Sequence, residues 1–123
     1  MVGAGSWGTA LAILLHNNGH EVTTWSRKEE DVKLFTEKRE NPSKLPGVKI
    51  PEKIAFTSIL DQAVCGMDVI VSAVPSVAVR STAARMAAMI EKGQIIVNVA
   101  KGVEESTLMT MSEVIQQLTL IHI

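Results

Sequence analysis

Apolar positions along the chain follow two rhythms. One is the uninterrupted run. Asp68–Val74 (DVIVSAV) is a continuous β-branched stretch, the pattern of a strand buried on both faces of a parallel sheet, and Ile95–Val99 (IIVNV) repeats it. Glu21–Ser26 (EVTTWS) and the shorter Ile54–Thr57 also read as strands. The other rhythm is helical. Gly8–Asn18 (GTALAILLHNN) is rich in Ala and Leu and predicts a buried helix that stops at Asn18-Gly19. Lys28–Arg39 is charged, with Val32, Leu34 and Phe35 as its apolar contacts, and predicts a surface helix. Leu60–Cys65 predicts a brief helical turn. Val77–Glu91 spaces Val79, Ala83, Met86 and Ile90 for one helix face. Ser106 is placed to cap a last helix over Thr107–Leu118, with Leu108, Met111, Ile115 and Leu118 on one side. Asn41–Lys53 holds Pro42, Pro46, Pro51 and Gly47 and predicts a loop. Strands alternating with helices imply βαβ units and an α/β fold with a mainly parallel, doubly wound sheet.

Composition narrows the picture. The 123 residues suit one domain, 46% of them are apolar, and the net charge is −1. That balance argues against nucleic acid or an acidic membrane as an electrostatic partner. No apolar run approaches the roughly 20 residues of a membrane span, and no signal peptide is visible at the start. A single cysteine, Cys65, gives no internal disulfide. A soluble, cytoplasmic α/β domain is expected.

The chemistry concentrates at the start, in Gly3-Ala4-Gly5-Ser6-Trp7-Gly8, a G-x-G-x-x-G. The first glycine permits a tight turn, the second lets a pyrophosphate approach the backbone, and the third lets the helix pack closely on the sheet. The following helix points free amides and its positive dipole end at the phosphates. A helix follows at once and a strand ends about 20 residues later, as in Rossmann-like dinucleotide-binding folds. The next position of interest is that strand end, which reads Trp25-Ser26-Arg27-Lys28. Domains that prefer NAD place an acid here for the ribose 2′-hydroxyl, whereas domains that take NADP avoid it and often place an arginine nearby. Arg27 with Lys28 suits a 2′-phosphate; the alternative is a solvated basic helix start, and Glu29, Glu30 and Asp31 dilute the charge. NADP(H) is expected to bind at least as well as NAD(H). Only Met1 and Val2 precede Gly3, so the strand that feeds the loop is mostly missing. The expectation is a start inside a longer polypeptide; otherwise the sheet has a gap or a rearrangement at its middle.

Six segments then line up in order: G-A-G-S-W-G-T-A-L-A, G-H-E-V-T-x-W-S-R, N-x-x-x-L-P-G, A-V-P-S, N-V-A-K-G-V-E and M-S-E-V-I. Together they closely resemble the N-terminal part of bacterial NAD(P)-dependent glycerol-3-phosphate dehydrogenases, up to about Leu118. The resemblance implies hydride transfer between NAD(P)H and dihydroxyacetone phosphate to give sn-glycerol 3-phosphate, which feeds phospholipid synthesis. It implies that Ser6 and Trp7, with Gly3, Gly5 and Gly8, contact the cofactor, and that Arg27 and Lys28 hold its adenosine end. Pro75 and Ser76 would shape the nicotinamide edge, and Lys101 would lie near both nicotinamide and substrate. The family places Tyr before Leu-Pro-Gly where this chain has Lys44. It also adds a second, mostly helical domain with a further catalytic lysine and the groups that grip the substrate phosphate, and the full-length proteins are expected to form homodimers. The division expected here is therefore residues 1–118 as an NAD(P)-binding domain and 119–123 (TLIHI) as an apolar tail, with the helical substrate domain absent and turnover by the 123 residues alone small or nil.

Other residues weigh less. Lys101, between Ala100 and Gly102, can stabilise negative charge on a carbonyl oxygen or a phosphate, or be a solvated loop lysine. His16, His20 and His122 lack metal-ligand spacing, so no metal is expected. Cys65 is expected to be a half-buried, inert thiol and Trp25 to pack rather than bind. Met86, Met89, Met109 and Met111 are expected on the last two helices, as core filling or as a contact surface. Two other functions remain open at this point: a stand-alone nucleotide-binding module without chemistry, and a hydroxyacid-type dehydrogenase sharing the glycine loop.

Overall fold

The computed structural model describes residues 1–119. Four short strands form the sheet: β1 (Thr23–Trp25), β2 (Ala55–Thr57), β3 (Val69–Ser72) and β4 (Ile95–Asn98). Five helices accompany them: α1 (Ser6–Asn17), α2 (Glu29–Lys38), α3 (Leu60–Val64), α4 (Val79–Met86) and α5 (Met111–Thr119). β1 pairs in parallel with β2, and β3 in parallel with β4.

Residues Met1–Gly3 join the two pairs. Val2 bridges Trp25 on one side and Ser72 on the other, both in parallel. The Trp25 amide donates to the Met1 carbonyl at 2.8 Å and the Gly3 amide to the Trp25 carbonyl at 3.0 Å. On the opposite edge the Val2 amide donates to Val71 and the Ala73 amide to Val2, each at 2.8 Å. The order is thus β2–β1–Val2–β3–β4, all parallel. The gap or rearrangement raised as the alternative for the sheet centre does not arise, because Met1–Gly3 bond to both neighbours at the end where the glycine loop leaves.

The two faces carry separate cores. Val2, Trp25, Ile70 and Ile96 meet α3, α4 and α5 through Leu60, Val64, Val79, Ala83, Met86, Val114 and Ile115. Met1, Val22 and Ile54 meet Ala12 of α1 on the other face. On that second face Val69, Ile95 and Val97 remain 48, 57 and 40% exposed. Phe35, the buried apolar residue of α2, packs on Phe56 with ring centroids 5.5 Å apart.

Two expected elements differ. The helix expected over Val77–Glu91 opens as a 3₁₀ turn at Ser76–Ala78 and ends at Met86. Its stripe holds through Val79, Ala83 and Met86, which are buried, whereas Ile90 lies past the turn that follows and packs, partly buried, on the same core. The last helix starts at Met111 and not at Thr107. Thr110 and Glu113 form a capping box: Glu113 N–H donates to Thr110 Oγ1 at 3.3 Å and Thr110 N–H to Glu113 Oε2 at 2.7 Å. Ser106 caps nothing, and Leu108 sits at φ 60° with 75% exposure, outside the helix. Met89 and Met109 lie in the segments flanking α4 and α5, packed against the core that buries Met86 and Met111. Cys65 is exposed, not half-buried. Thr119 closes α5 and is buried; residues 120–123 of the expected tail lie outside the described residues. No helix among the described residues is long and apolar enough to cross a membrane.

Candidate functional site

The three glycines of the loop are needed for three different reasons. Gly3 has φ 120°, and a Cβ there would stand 2.7 Å from the Ala73 carbonyl oxygen of the neighbouring strand's extension. A Cβ on Gly8 would collide with the Gly3 carbonyl oxygen and stand 3.4 Å from Ala73 Cβ. Both collisions are with rigid main chain or the strand beneath. A Cβ on Gly5 would meet nothing within 4 Å. Gly5 is also the N-cap of α1, and no side chain caps that helix end. The first-turn amides therefore face open space with the helix dipole behind them, an arrangement suited to an anion.

A buried side chain holds the loop in place. Asn41, fully buried, donates through Nδ2 to the Ala4 carbonyl at 2.8 Å and to Thr9 Oγ1 at 3.2 Å. Its Oδ1 accepts the Lys44 amide at 3.3 Å. The Asn41–Gly47 loop and the glycine loop are thus one hydrogen-bonded unit.

That unit forms one wall of a cleft of about 830 Å³ at the C-terminal ends of the strands. All the positions singled out from the sequence line it: Gly3, Gly5, Ser6, Trp7, Gly8, Arg27, Lys28, Pro75, Ser76 and Lys101. Trp7 is 62% exposed, a large indole at the cleft edge. Trp25 packs as expected and is 4% exposed, but its ring also reaches the cleft wall. The charge of the lining is lopsided. Arg27, Lys28, Lys44, Arg85 and Lys101 face it against Asp31 alone. None of those five cations is ion-paired with a carboxylate among the described residues. The five are drawn from a chain with 12 Lys and Arg against 13 Asp and Glu, so the cleft concentrates positive charge on a slightly acidic molecule.

The family described as the N-terminus of NAD-dependent glycerol-3-phosphate dehydrogenase matches residues 1–122. The chain belongs to that family. A glycerol-3-phosphate dehydrogenase [NAD(P)+] of Agathobacter rectalis is 53% identical over 116 residues, 94% of this chain and 34% of the relative. One from Fusobacterium nucleatum is 47% identical over 117 residues, 95% of this chain and 35% of the relative. The crystal structure of glycerol-3-phosphate dehydrogenase from Coxiella burnetii superposes with a TM-score of 0.88 at 30% identity, covering 96% of this chain and 36% of that one. The chain spans about a third of the length of these relatives.

Within the dehydrogenase family's frame, the loop that carries Lys101 is braced from behind. Arg80 on α4 makes a two-pronged ion pair with Glu104, Nε to Oε2 at 2.7 Å and Nη2 to Oε1 at 2.8 Å. Thr107 Oγ1 donates to the same carboxylate at 2.6 Å. The arginine, together with the threonine hydroxyl, holds the Glu104 carboxyl well below its ordinary range, at about 2. Sequence reasoning missed Arg85, Asn41 and the Arg80–Glu104 brace. Arg85 lies off the apolar stripe of α4 and carries no local signal. Asn41 stood only as the first residue of a proline-rich loop and of the N-x-x-x-L-P-G segment, with no role of its own. Among the described residues no three His, Cys, Asp or Glu side chains gather as metal ligands.

Proposed function

We propose that this chain is the cofactor-binding part of a cytoplasmic NAD(P)-dependent glycerol-3-phosphate dehydrogenase, which in its full-length form is a homodimer. The observation that carries the reading is the open cradle at Gly5. It lies at the uncapped start of α1, on a cleft lined by five cations that have no carboxylate partner among the described residues. The pyrophosphate of a dinucleotide fits the first-turn amides of α1. Its adenosine end fits the Arg27–Lys28 side, and its nicotinamide fits the edge formed by Pro75, Ser76 and Lys101, in the crevice beyond the strand ends. The bound nicotinamide supplies or accepts a hydride. Lys101 supports the negative charge of the substrate, dihydroxyacetone phosphate or sn-glycerol 3-phosphate, at the carbonyl oxygen or the phosphate. The domain division follows the same reading: residues 1–118 bind the dinucleotide. Support for the substrate comes from the family to which the chain belongs.

The test joins residues 1–119 to the remaining two-thirds of the Agathobacter rectalis relative and follows NADPH oxidation by dihydroxyacetone phosphate. An active chimera that loses roughly 10²–10³ in kcat on Lys101→Ala supports the reading. Dinucleotide binding with no turnover would favour a binding module without chemistry. The 123 residues alone are expected to bind dinucleotide and turn over little or nothing, because hydride transfer needs the substrate held in near-attack geometry.

A further inference from the structure

We infer that Arg85 is the third arm of a clamp for the 2′-phosphate of NADP(H), closing on it from α4 opposite Arg27 and Lys28. The inference rests on the dinucleotide reading of the cleft and adds to it a residue on a different element.

Arg85 is one of two arginines on α4, and their surroundings are opposite. Arg80 is paired with the Glu104 carboxylate. Arg85 is exposed, has no carboxylate partner among the described residues, and lines the cleft. Its guanidinium lies 5.5 Å from the centroid of the Trp25 ring. That ring is a fixed platform: the indole is buried, and its Nε1 donates to the Ser58 carbonyl at 3.1 Å. A cation over an anchored indole is held in place without being neutralised. The platform also fixes where the cation sits, because Trp25 directly precedes Ser26-Arg27-Lys28.

In a fold of this kind the adenosine ribose lies at this strand end, and an acid there would select the free 2′-hydroxyl. Ser26 offers no such charge. The one acid lining the cleft, Asp31, sits in the first turn of α2, where it complements that helix dipole. A phosphate monoester carries about two negative charges and three acceptor oxygens, more than one arginine fork satisfies. Cations arriving from the strand end and from α4 answer that demand from two sides. Stacking of Arg85 on the adenine alone would act on NAD(H) and NADP(H) alike, which separates the two roles.

Isothermal titration of the 123-residue chain with adenosine 2′,5′-bisphosphate and with 5′-AMP tests the inference. Arg85→Ala is expected to weaken the bisphosphate about tenfold or more while 5′-AMP changes less than about twofold, and Arg85→Lys recovers part of the loss. Equal losses for both ligands, or none, overturn the clamp and leave the dinucleotide reading standing. Failure of the unaltered chain to bind either ligand, or NADPH, overturns the dinucleotide reading itself and the clamp with it. Thermal melts confirm that the variants fold. Should Arg85→Ala unfold, Arg85→Gln keeps the stem over Trp25 without the charge and carries the same comparison.

Discussion

Individual glycines can be separated by what their missing Cβ would touch. Ala at Gly3 must adopt φ 120° and push against the Ala73 carbonyl, and Ala at Gly8 must push against the Gly3 carbonyl. Each costs about 1–3 kcal/mol of folding stability or more, and both variants are expected to lower the melting temperature sharply. Ala at Gly5 meets only open space within the fold. Gly5→Ala should therefore keep its melting temperature within a few degrees and lose roughly tenfold or more in dinucleotide affinity, as a methyl fills the place of a phosphate oxygen. A Gly5→Ala chain that unfolds, or that binds NADPH unchanged, contradicts this division. Asn41→Ala removes the bonds from Asn41 Nδ2 to the Ala4 carbonyl and to Thr9 Oγ1, and takes the acceptor from the Lys44 amide. About 1–3 kcal/mol of stability should go with it, with a parallel loss of affinity, read by denaturant melts and nucleotide titration. The spacing of the glycines is visible in the sequence, and Gly5, the expected point of approach, is the one of the three whose Cβ would meet nothing within 4 Å. That Gly3 answers to Ala73 is invisible there, because the contact joins residues 70 positions apart. Arg85 is hidden for the same reason: only packing lays α4 against Trp25.

Whole elements obey local chemistry where that chemistry is strong. The β-branched runs at 69–72 and 95–98 form strands as expected, and the Val79–Ala83–Met86 stripe forms a helix. The start of α5 was misplaced because two capping signals compete. Ser106 precedes a residue with good helical spacing, but Glu104 captures the segment first, binding Arg80 and Thr107 and turning the chain at Leu108. The box at Thr110 and Glu113 then begins the helix. Thr110→Ala should cost about 1 kcal/mol, measured by denaturant melts. The brace at Glu104 also sets a pH dependence. Its carboxyl is depressed to about 2 in the folded chain. A depressed acid stabilises the fold above its unfolded pKa of about 4.3, and the contribution is lost as pH falls toward the folded value. Hydrogen-exchange protection of residues 103–110 should therefore fall between about pH 4.5 and 2, and Glu104→Gln should remove that step while leaving protection lower at neutral pH. A step of the same size in Glu104→Gln assigns it to another carboxylate.

At the scale of the molecule, the segment between the two strand pairs also feeds the cleft. Met1–Gly3 bond to β1 and β3 together and then turn directly into the glycine loop, so the strand order and the cleft are fixed by the same short segment. Pattern alone could propose the order but not the pairings of Val2 with Trp25 and Ser72. The cleft this builds is positive on a chain whose net charge is −1. Attraction for a dinucleotide thus comes from where the charges are placed and not from their sum, and it must weaken as salt screens them. Raising ionic strength from about 0.01 to about 1 M shortens the screening length from roughly 30 to roughly 3 Å. Affinity for NADPH should fall several-fold more across that range than affinity for NADH, since the extra phosphate adds about two charges to the ligand at the most cationic end of the cleft. Arg27→Ala should bring the two salt profiles closer together and lower the NADPH preference. Parallel profiles in the unaltered chain would mean that the 2′-phosphate does not reach these cations, and an Arg27→Ala chain with unchanged preference would remove that arginine from the site.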